Sequence, residues 1–225
     1  SVNAALYPWK DGYQILWISG GDTSRTFGLC LDIGTTTVAS CLVDISTGNV
    51  EAAANSGNLQ MQYGADVINR MMFSEKGDGL IKLQRAITEG TINQLITVMR
   101  AQQGISKSEI VFSAVAGNTT MSHFLLGVPT GNLRREPYIP AFGFTADLKA
   151  RDIGLGINPD APVFLFPNVA SYVGGDIVSG VLSSGIWNSD ENTLFIDLGT
   201  NGEIVLGNRD WMVTCACSAG PAFEG

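Results

Sequence analysis

The 225-residue sequence predicts an α/β protein with a mixed sheet flanked by helices, and three observations predict it. A strand–turn–strand unit built on Asp-x-Gly-Thr occurs twice. A long segment repeats apolar residues at helical spacing. A continuous apolar run opens into a capped helix, as a buried parallel strand does.

The repeated unit reads Leu31-Asp32-Ile33-Gly34-Thr35-Thr36-Thr37 and again Ile196-Asp197-Leu198-Gly199-Thr200-Asn201-Gly202. Apolar residues 27–31 and 38–43 flank the first copy, 194–196 and 204–206 the second, so each is a strand, a tight turn and a returning strand. Glycine lets the backbone approach a phosphate oxygen, while successive N–H groups and threonine hydroxyls donate to the anion. A carboxylate beside that loop is repelled by phosphate. It fits better as a ligand of magnesium, directly or through water, because magnesium shares oxygen ligands with substrate phosphates. One copy alone is equally an ordinary hairpin turn, since Asp, Gly and Thr favour turns. Two matching copies point to related half-domains whose loops grip one phosphate chain.

The other elements follow in order. Residues 1–26 are aromatic-rich and end in a polar Ser19-Gly20-Gly21-Asp22-Thr23-Ser24 stretch; they read as a connector holding one strand candidate at 15–18. A third strand is expected at 50–54 after the turn at 46–49, and a short helix at 65–73. In the next helix Leu80, Leu83, Ile87, Thr91, Leu95 and Val98 form one stripe, and Ile81, Ile92, Ile96 and Met99 widen it, so all of these are expected in the core. Residues 110–115 are the buried strand, leading to a helix capped near Asn118 or Thr119. Ligands in open α/β sheets lie beyond such strand ends, so Asn118 is placed to orient an attacking water or to serve as a plain cap. His123 on that helix reads as structural. Residues 128–157, punctuated by proline and glycine, read as an irregular surface excursion. A strand is expected at 163–166 and a helix at 177–182, with Asp176 capping that helix or facing the cleft. The paired glycines Gly174 and Gly175 suit close backbone packing.

Composition narrows the function. Hydrophobic residues make up 45% and charged residues 15%, enough for a substantial core. A net charge of −8 with only 13 Lys and Arg argues against nucleic acid as a partner. No apolar stretch approaches the roughly 20 residues that span a bilayer, and the first residues lack a signal-peptide pattern, so no membrane association and a cytoplasmic location are expected. Cys30, Cys41, Cys215 and Cys217, with one histidine in the chain, match no zinc or iron–sulfur ligand set and are expected as buried reduced thiols.

The order of these elements resembles the actin-like ATPase superfamily, and the segments Tyr63-Gly64-Ala65-Asp66-Val67-Ile68-Asn69-Arg70, Ala116-Gly117-Asn118-Thr119-Thr120-Met121, Val173-Gly174-Gly175-Asp176, Asp197-Leu198-Gly199-Thr200-Asn201-Gly202-Glu203 and Ser218-Ala219-Gly220-Pro221-Ala222-Phe223-Glu224-Gly225 resemble the reductive activators of corrinoid-dependent proteins. The resemblance implies actin-like (ribonuclease H-like) half-domains, with a connector at 1–26, a first subdomain at 27–185 containing the irregular region 128–157, and the beginning of a second at 186–225. It implies an ATP-dependent activator that returns cobalt(II) corrinoid to cobalt(I) in a partner corrinoid protein, drawing electrons from an iron–sulfur domain separate from this chain. By motif match Asp32 and Asp197 manage magnesium and the hydrolytic water. Gly34, Thr35, Thr36, Thr37, Gly199, Thr200, Asn201 and Gly202 hold the phosphates of ATP, and Glu203 stands behind them.

The chain lacks the cysteine run of the family's ferredoxin and stops where the adenosine-holding turn is expected, so it reads as a fragment with a truncated second half. Asn58-Leu59-Gln60 carries leucine where the family pattern favours proline. A small-molecule kinase on the same fold and a non-hydrolysing docking module are the alternatives. The absence of Asp or Glu directly after the 110–116 strand weighs against the kinase. A homodimer is compatible with the sequence.

Overall fold

The computed structural model describes residues 2–20, 25–199 and 201–217. The elements in chain order are β1 (Val2–Trp9), β2 (Gly12–Gly20), β3 (Phe27–Ile33), β4 (Thr37–Asp44), β5 (Val50–Gly57), α1 (Val67–Ser74), α2 (Gly79–Ile87), α3 (Asn93–Gln103), β6 (Ile110–Gly117), α4 (Thr119–Leu126), β7 (Val163–Leu165), α5 (Gly175–Ser184), β8 (Thr193–Leu198), β9 (Gly202–Gly207) and β10 (Met212–Cys217). The central sheet runs β5-β4-β3-β6-β7, antiparallel from β5 to β3 and parallel from β3 to β7. A second sheet runs β10-β9-β8, antiparallel throughout. The α/β class expected from the sequence is therefore what forms.

Strand β3 explains why the central sheet is stable. Phe27, Leu29, Leu31 and Ile33 point to one face and are at most 3% exposed, packed with Leu83, Ile87, Ile92, Ile96 and Met99 of the helical layer. Each such burial is worth about 1.5–3 kcal/mol. The alternate residues Gly28, Cys30 and Asp32 take the other face, which carries Asp32 out toward the end of the sheet.

The helical layer departs from expectation at two positions. Ile81 and Val98 are 54% and 49% exposed, although the sequence stripe puts both in the core. A π turn at Thr88–Ile92 rotates α3, and Val98 with it, against the phase set by α2; Ile81 lies ahead of that turn, on the face of α2 it shares with exposed Lys82. The Thr91 hydroxyl, donating to the Ala86 carbonyl at 2.9 Å and accepting from the Leu59 N–H at 3.2 Å, stabilises the wide turn.

Three further expectations are corrected. Where one strand was expected in the amino-terminal segment, β1 and β2 form a hairpin, tied to the main body by Lys149 Nζ donating to Gln14 Oε1 (3.1 Å) and Asn158 Nδ2 to the Leu16 carbonyl (2.6 Å). The region 128–157 is irregular but is no surface excursion: Leu133, Ala150, Ile153, Leu155 and Ile157 are at most 6% exposed and seal the core. Ile153, Leu155 and Ile157 do alternate, but the glycines between them and the prolines on either side read as loop, and Leu133 and Ala150 belong to no repeat. None of the four cysteines is buried: Cys30 and Cys41 are half-buried in β3 and β4, and Cys215 and Cys217 are exposed because β10 is an edge strand with every residue open; all four are free.

His123 is structural, as its sequence setting suggests. It is fully buried, with Nδ1 donating to the Thr119 carbonyl at 2.7 Å and Nε2 accepting from the Ala141 N–H at 3.2 Å, and its ring stacks on Phe142. Burial holds its pKa below the usual histidine value, so the ring is neutral.

Helix α5 connects the two sheets. Val173 and Ile177 pack with Val205 of β9, and Phe195 of β8 joins them. At its start the paired glycines do what their composition suggests: a Cβ on Gly174 would sit 2.4 Å from the Thr119 nitrogen, and one on Gly175 2.7 Å from Phe166 Cβ. Only hydrogen at Gly174 lets the amino ends of α4 and α5 meet, and only hydrogen at Gly175 lets α5 start against Phe166.

Candidate functional site

Both copies of the repeated unit fold as hairpins. In the first, β3 and β4 close at the Ile33–Val38 pair, and Gly34 N–H donates to the Thr37 carbonyl at 3.0 Å. A Cβ on Gly34 would lie 2.6 Å from that carbonyl oxygen, which explains glycine there. In the second, β8 and β9 close at Leu198–Gly202, and Gly199 N–H donates to the Asn201 carbonyl at 2.9 Å. The second turn is thus tighter by one residue, a difference the matching motifs do not disclose.

The two turns face a shared cleft of about 560 Å³. The first half supplies Asp32, Gly34, Thr35, Thr36, Thr37 and Asn118; the second supplies Asp197, Gly199, Asn201 and Glu203. Gly202 stays off the wall, paired inside β9, where its carbonyl accepts from Cys217 Sγ at 3.2 Å. Thr200 lies outside the described residues.

Asn118 is the cap of α4. Its Oδ1 accepts from the Met121 N–H at 3.0 Å, and its Nδ2 donates to Thr35 Oγ1 at 3.1 Å, so the cap also steadies the first loop. The first turns of α4 and α5 both open at the cleft, adding the positive ends of two helix dipoles to the backbone amides of the loops.

Asp176, which the sequence leaves open as a helix cap or a group facing the cleft, gets no role in the site from the motifs. It sits in the first turn of α5, lines the cleft, and its Oδ1 accepts from the Ile177 N–H at 2.8 Å. Its signal lay in the sequence, an acidic residue at a helix start after paired glycines, but capping explained that pattern equally well. The same stretch of α5 brings Ser179, Gly180 and Ser183 to the wall.

Four carboxylates therefore share one cleft, and no Lys or Arg lines it among the described residues. Burial raises the pKa of Asp32 above the usual carboxylate value, and the charge of Asp197 raises it further. Burial pushes Asp176 up to about 6, with Asp197 and Asp32 adding to the rise. Glu203, directly opposite Asp197 across the β8–β9 ladder, is pushed up to about 7 by burial and then by Asp176 and Asp197. Such mutual repulsion is what a bound divalent cation relieves. Among the described residues no group of three or more His, Cys, Asp or Glu is placed to cage a metal alone. Magnesium requires only one or two carboxylates beside phosphate oxygens and waters, so Asp32 and Asp197 fit it. Nothing comparable fits an iron–sulfur cluster among those residues.

Two family models match the chain, one described as the RACo middle region over residues 27–189, the other as the C-terminal domain of RACo, the ASKHA domain, over residues 191–225. The corrinoid activation enzyme RamQ of Eubacterium limosum is 36% identical over 203 residues, a match covering 88% of this chain and 33% of RamQ. A Co(II) methylated amine-specific corrinoid protein reductase of Methanosarcina barkeri is 24% identical over 217 residues, covering 88% of this chain and 37% of the reductase. A solved reductive activator for corrinoid, iron–sulfur protein superposes with a TM-score of 0.91 at 49% identity, over 100% of this chain and 36% of that one. The chain thus spans about a third of the length of these relatives. Its fold is the actin-like α/β fold that the paired hairpins foreshadow, and the chain belongs to the RACo family.

Proposed function

We propose that this chain is the ATP-binding core of a reductive activator, which couples binding and hydrolysis of magnesium–ATP to the reduction of cobalt(II) corrinoid to cobalt(I) in a partner corrinoid protein. The observation that carries the proposal is the convergence of Asp32 and Asp197, from two copies of one motif, on a single acidic cleft. The names of the relatives, a corrinoid activation enzyme and a corrinoid protein reductase, support the corrinoid partner. The electrons come from an iron–sulfur domain outside this chain, to which residues 1–26 connect. The family-model boundaries at 189 and 191 support the division into a first subdomain at 27–185 and a second beginning at 186. No helix among the described residues is long and apolar enough to cross a membrane, and the use of ATP fits a cytoplasmic protein.

In this reading Asp32 and Asp197 hold magnesium, directly or through water. Magnesium supplies positive charge against the charge that develops on the transferred phosphoryl group. Gly34, Thr35, Thr36 and Thr37 cradle the phosphates from one side, Gly199, Thr200 and Asn201 from the other, and Gly202 sets the second turn from within β9. The amide of Asn118 is engaged at both ends, so it positions Thr35, and the task of accepting a proton from the attacking water falls to Asp176. Glu203 adjusts the field behind Asp197. An uphill electron transfer is driven when the nucleotide-bound form prefers the partner conformation that reduces more easily, because a ligand shifts an equilibrium only by its differential affinity.

The test uses the full-length protein with its iron–sulfur domain, a chemical electron donor and the corrinoid protein, with cobalt(I) followed by absorbance. Reduction is expected to require magnesium–ATP and to disappear, together with ATPase activity, in Asp197→Ala. Unchanged ATPase activity in that variant removes the mechanism, and ATP-independent reduction removes the coupling.

A further inference from the structure

We propose that Asn58 is a positioning residue that aims the backbone amides of the first loop at the nucleotide; this rests on the ATP reading above. Asn58 is fully buried and lies outside the cleft, behind the turn between β3 and β4. It grips that turn twice. Its side-chain Nδ2 donates to the Gly34 carbonyl at 2.9 Å, and its backbone N–H donates to the Thr36 carbonyl at 2.8 Å.

A peptide unit is planar and trans, so its carbonyl and its N–H point in opposite directions. Drawing the Gly34 and Thr36 carbonyls toward Asn58 turns the N–H groups of Thr35 and Thr37 away from it, and residues 34–37 line the cleft whereas Asn58 does not. Without this grip a loop of glycine and threonine can flip either peptide and present a carbonyl oxygen, which repels phosphate.

Asn58 is itself held. Its Oδ1 accepts from the Gln60 N–H at 3.0 Å, capping the short helical turn Leu59–Tyr63, while Gln60 Nε2 donates to the Leu83 carbonyl at 3.0 Å. Gln60 Oε1 faces the guanidinium of Arg70, which is fully buried and donates through Nε to the Gly64 carbonyl at 2.9 Å. The first loop thus rests on a polar array rooted in the core, with Asn118 holding Thr35 from the opposite flank. The Asn58-Leu59-Gln60 segment keeps this role with leucine at its centre, where the Leu59 N–H donates to Thr91 Oγ1 and its half-exposed side chain lies over Gly90.

The substitution Asn58→Asp isolates the effect. It keeps the Oδ1 cap and the backbone N–H but replaces the donor to Gly34 with a carboxylate oxygen, leaving that carbonyl without a partner. In the full-length protein, isothermal titration is expected to show magnesium–ATP affinity falling about tenfold or more. Asn58→Ser, which also lacks a donor long enough for Gly34, is expected to do the same and carries the test if the aspartate variant does not fold. Ile157→Ala, a core truncation beside Ile110 at the start of β6, at the other end of the sheet from the loop, is expected to lower the melting temperature while keeping wild-type affinity. Hydrogen exchange reports separately: the Thr35 and Thr37 amides are expected to gain protection with magnesium–ATP in the wild type and to lose that gain in the Asn58 variants. Wild-type affinity in Asn58→Asp or Asn58→Ser overturns the positioning role while leaving the ATP reading intact. Affinity lost equally in Ile157→Ala also overturns it, because general destabilisation then accounts for the effect. Wild-type protein that binds no magnesium–ATP overturns both.

Discussion

Gly174→Ala tests whether the cleft depends on backbone touching backbone. The added Cβ would lie 2.4 Å from the Thr119 nitrogen, 2.6 Å from the Asn118 carbonyl carbon and 2.7 Å from its Cα, all main-chain atoms that no rotamer change can clear. Alanine accepts the local backbone, since φ at Gly174 is −112°, so the cost is purely steric. Overpacking of this kind costs about 1–3 kcal/mol. The part forced to yield is the cap of α4, whose loss adds about 1 kcal/mol. A total near ~3 kcal/mol corresponds to a melting point about 6–12 °C lower for a chain of this size. Thermal unfolding by circular dichroism measures it, with Gly12→Ala as control because nothing lies within 4 Å of that position. A Gly174→Ala protein melting within about 2 °C of wild type would show that α4 and α5 can separate freely, and the packing argument would fail.

Other outcomes follow from the same geometry. Asp176 rises from 3.8 to about 6 and Glu203 from 4.5 to about 7; an acid whose folded pKa is raised favours the fold below its unfolded pKa and loses that contribution as pH climbs through the folded one. The nucleotide-free protein should therefore lose stability between about pH 4 and 7, and Asp176→Asn should flatten the slope in melting experiments across that range. Asn118→Ala should cost about 1 kcal/mol in urea denaturation and weaken magnesium–ATP binding several-fold by calorimetry, since one side chain both caps α4 and holds Thr35. A thiol reagent followed by peptide mapping should label exposed Cys215 and Cys217 first and Cys30 last, because burial and then the neighbouring Cys41 push the Cys30 thiol up to about 11.

Much of this was legible in the sequence, for reasons specific to each element. The β3–β4 and β8–β9 hairpins, the buried β6 and the Asn118 cap could be read because each depends on local pattern: period-two apolarity, turn chemistry and a capping side chain. What escaped depends on contacts between distant segments. At the π turn Thr91 accepts from the Leu59 N–H, a partner from a distant segment, and the turn shifts the phase in which Val98 faces out. Leu133 and Ile157 are core residues only because the irregular chain folds back on the sheet. Asp176 joins the site because Gly174 lets α5 start against α4. The second turn is one residue tighter than the first although the motifs align, so a repeated string fixes the residue types of a loop more firmly than its register.

The central claim is that two hairpins hold one magnesium–triphosphate between Asp32 and Asp197. Calorimetric titration of ATP into the full-length protein, with magnesium and again with chelator, tests it most directly when repeated on Asp32→Ala and Asp197→Ala. One site per chain is expected, which tightens with magnesium and loses that dependence in each variant. ATP bound equally well in chelator, or with unaltered magnesium dependence in both variants, would contradict it.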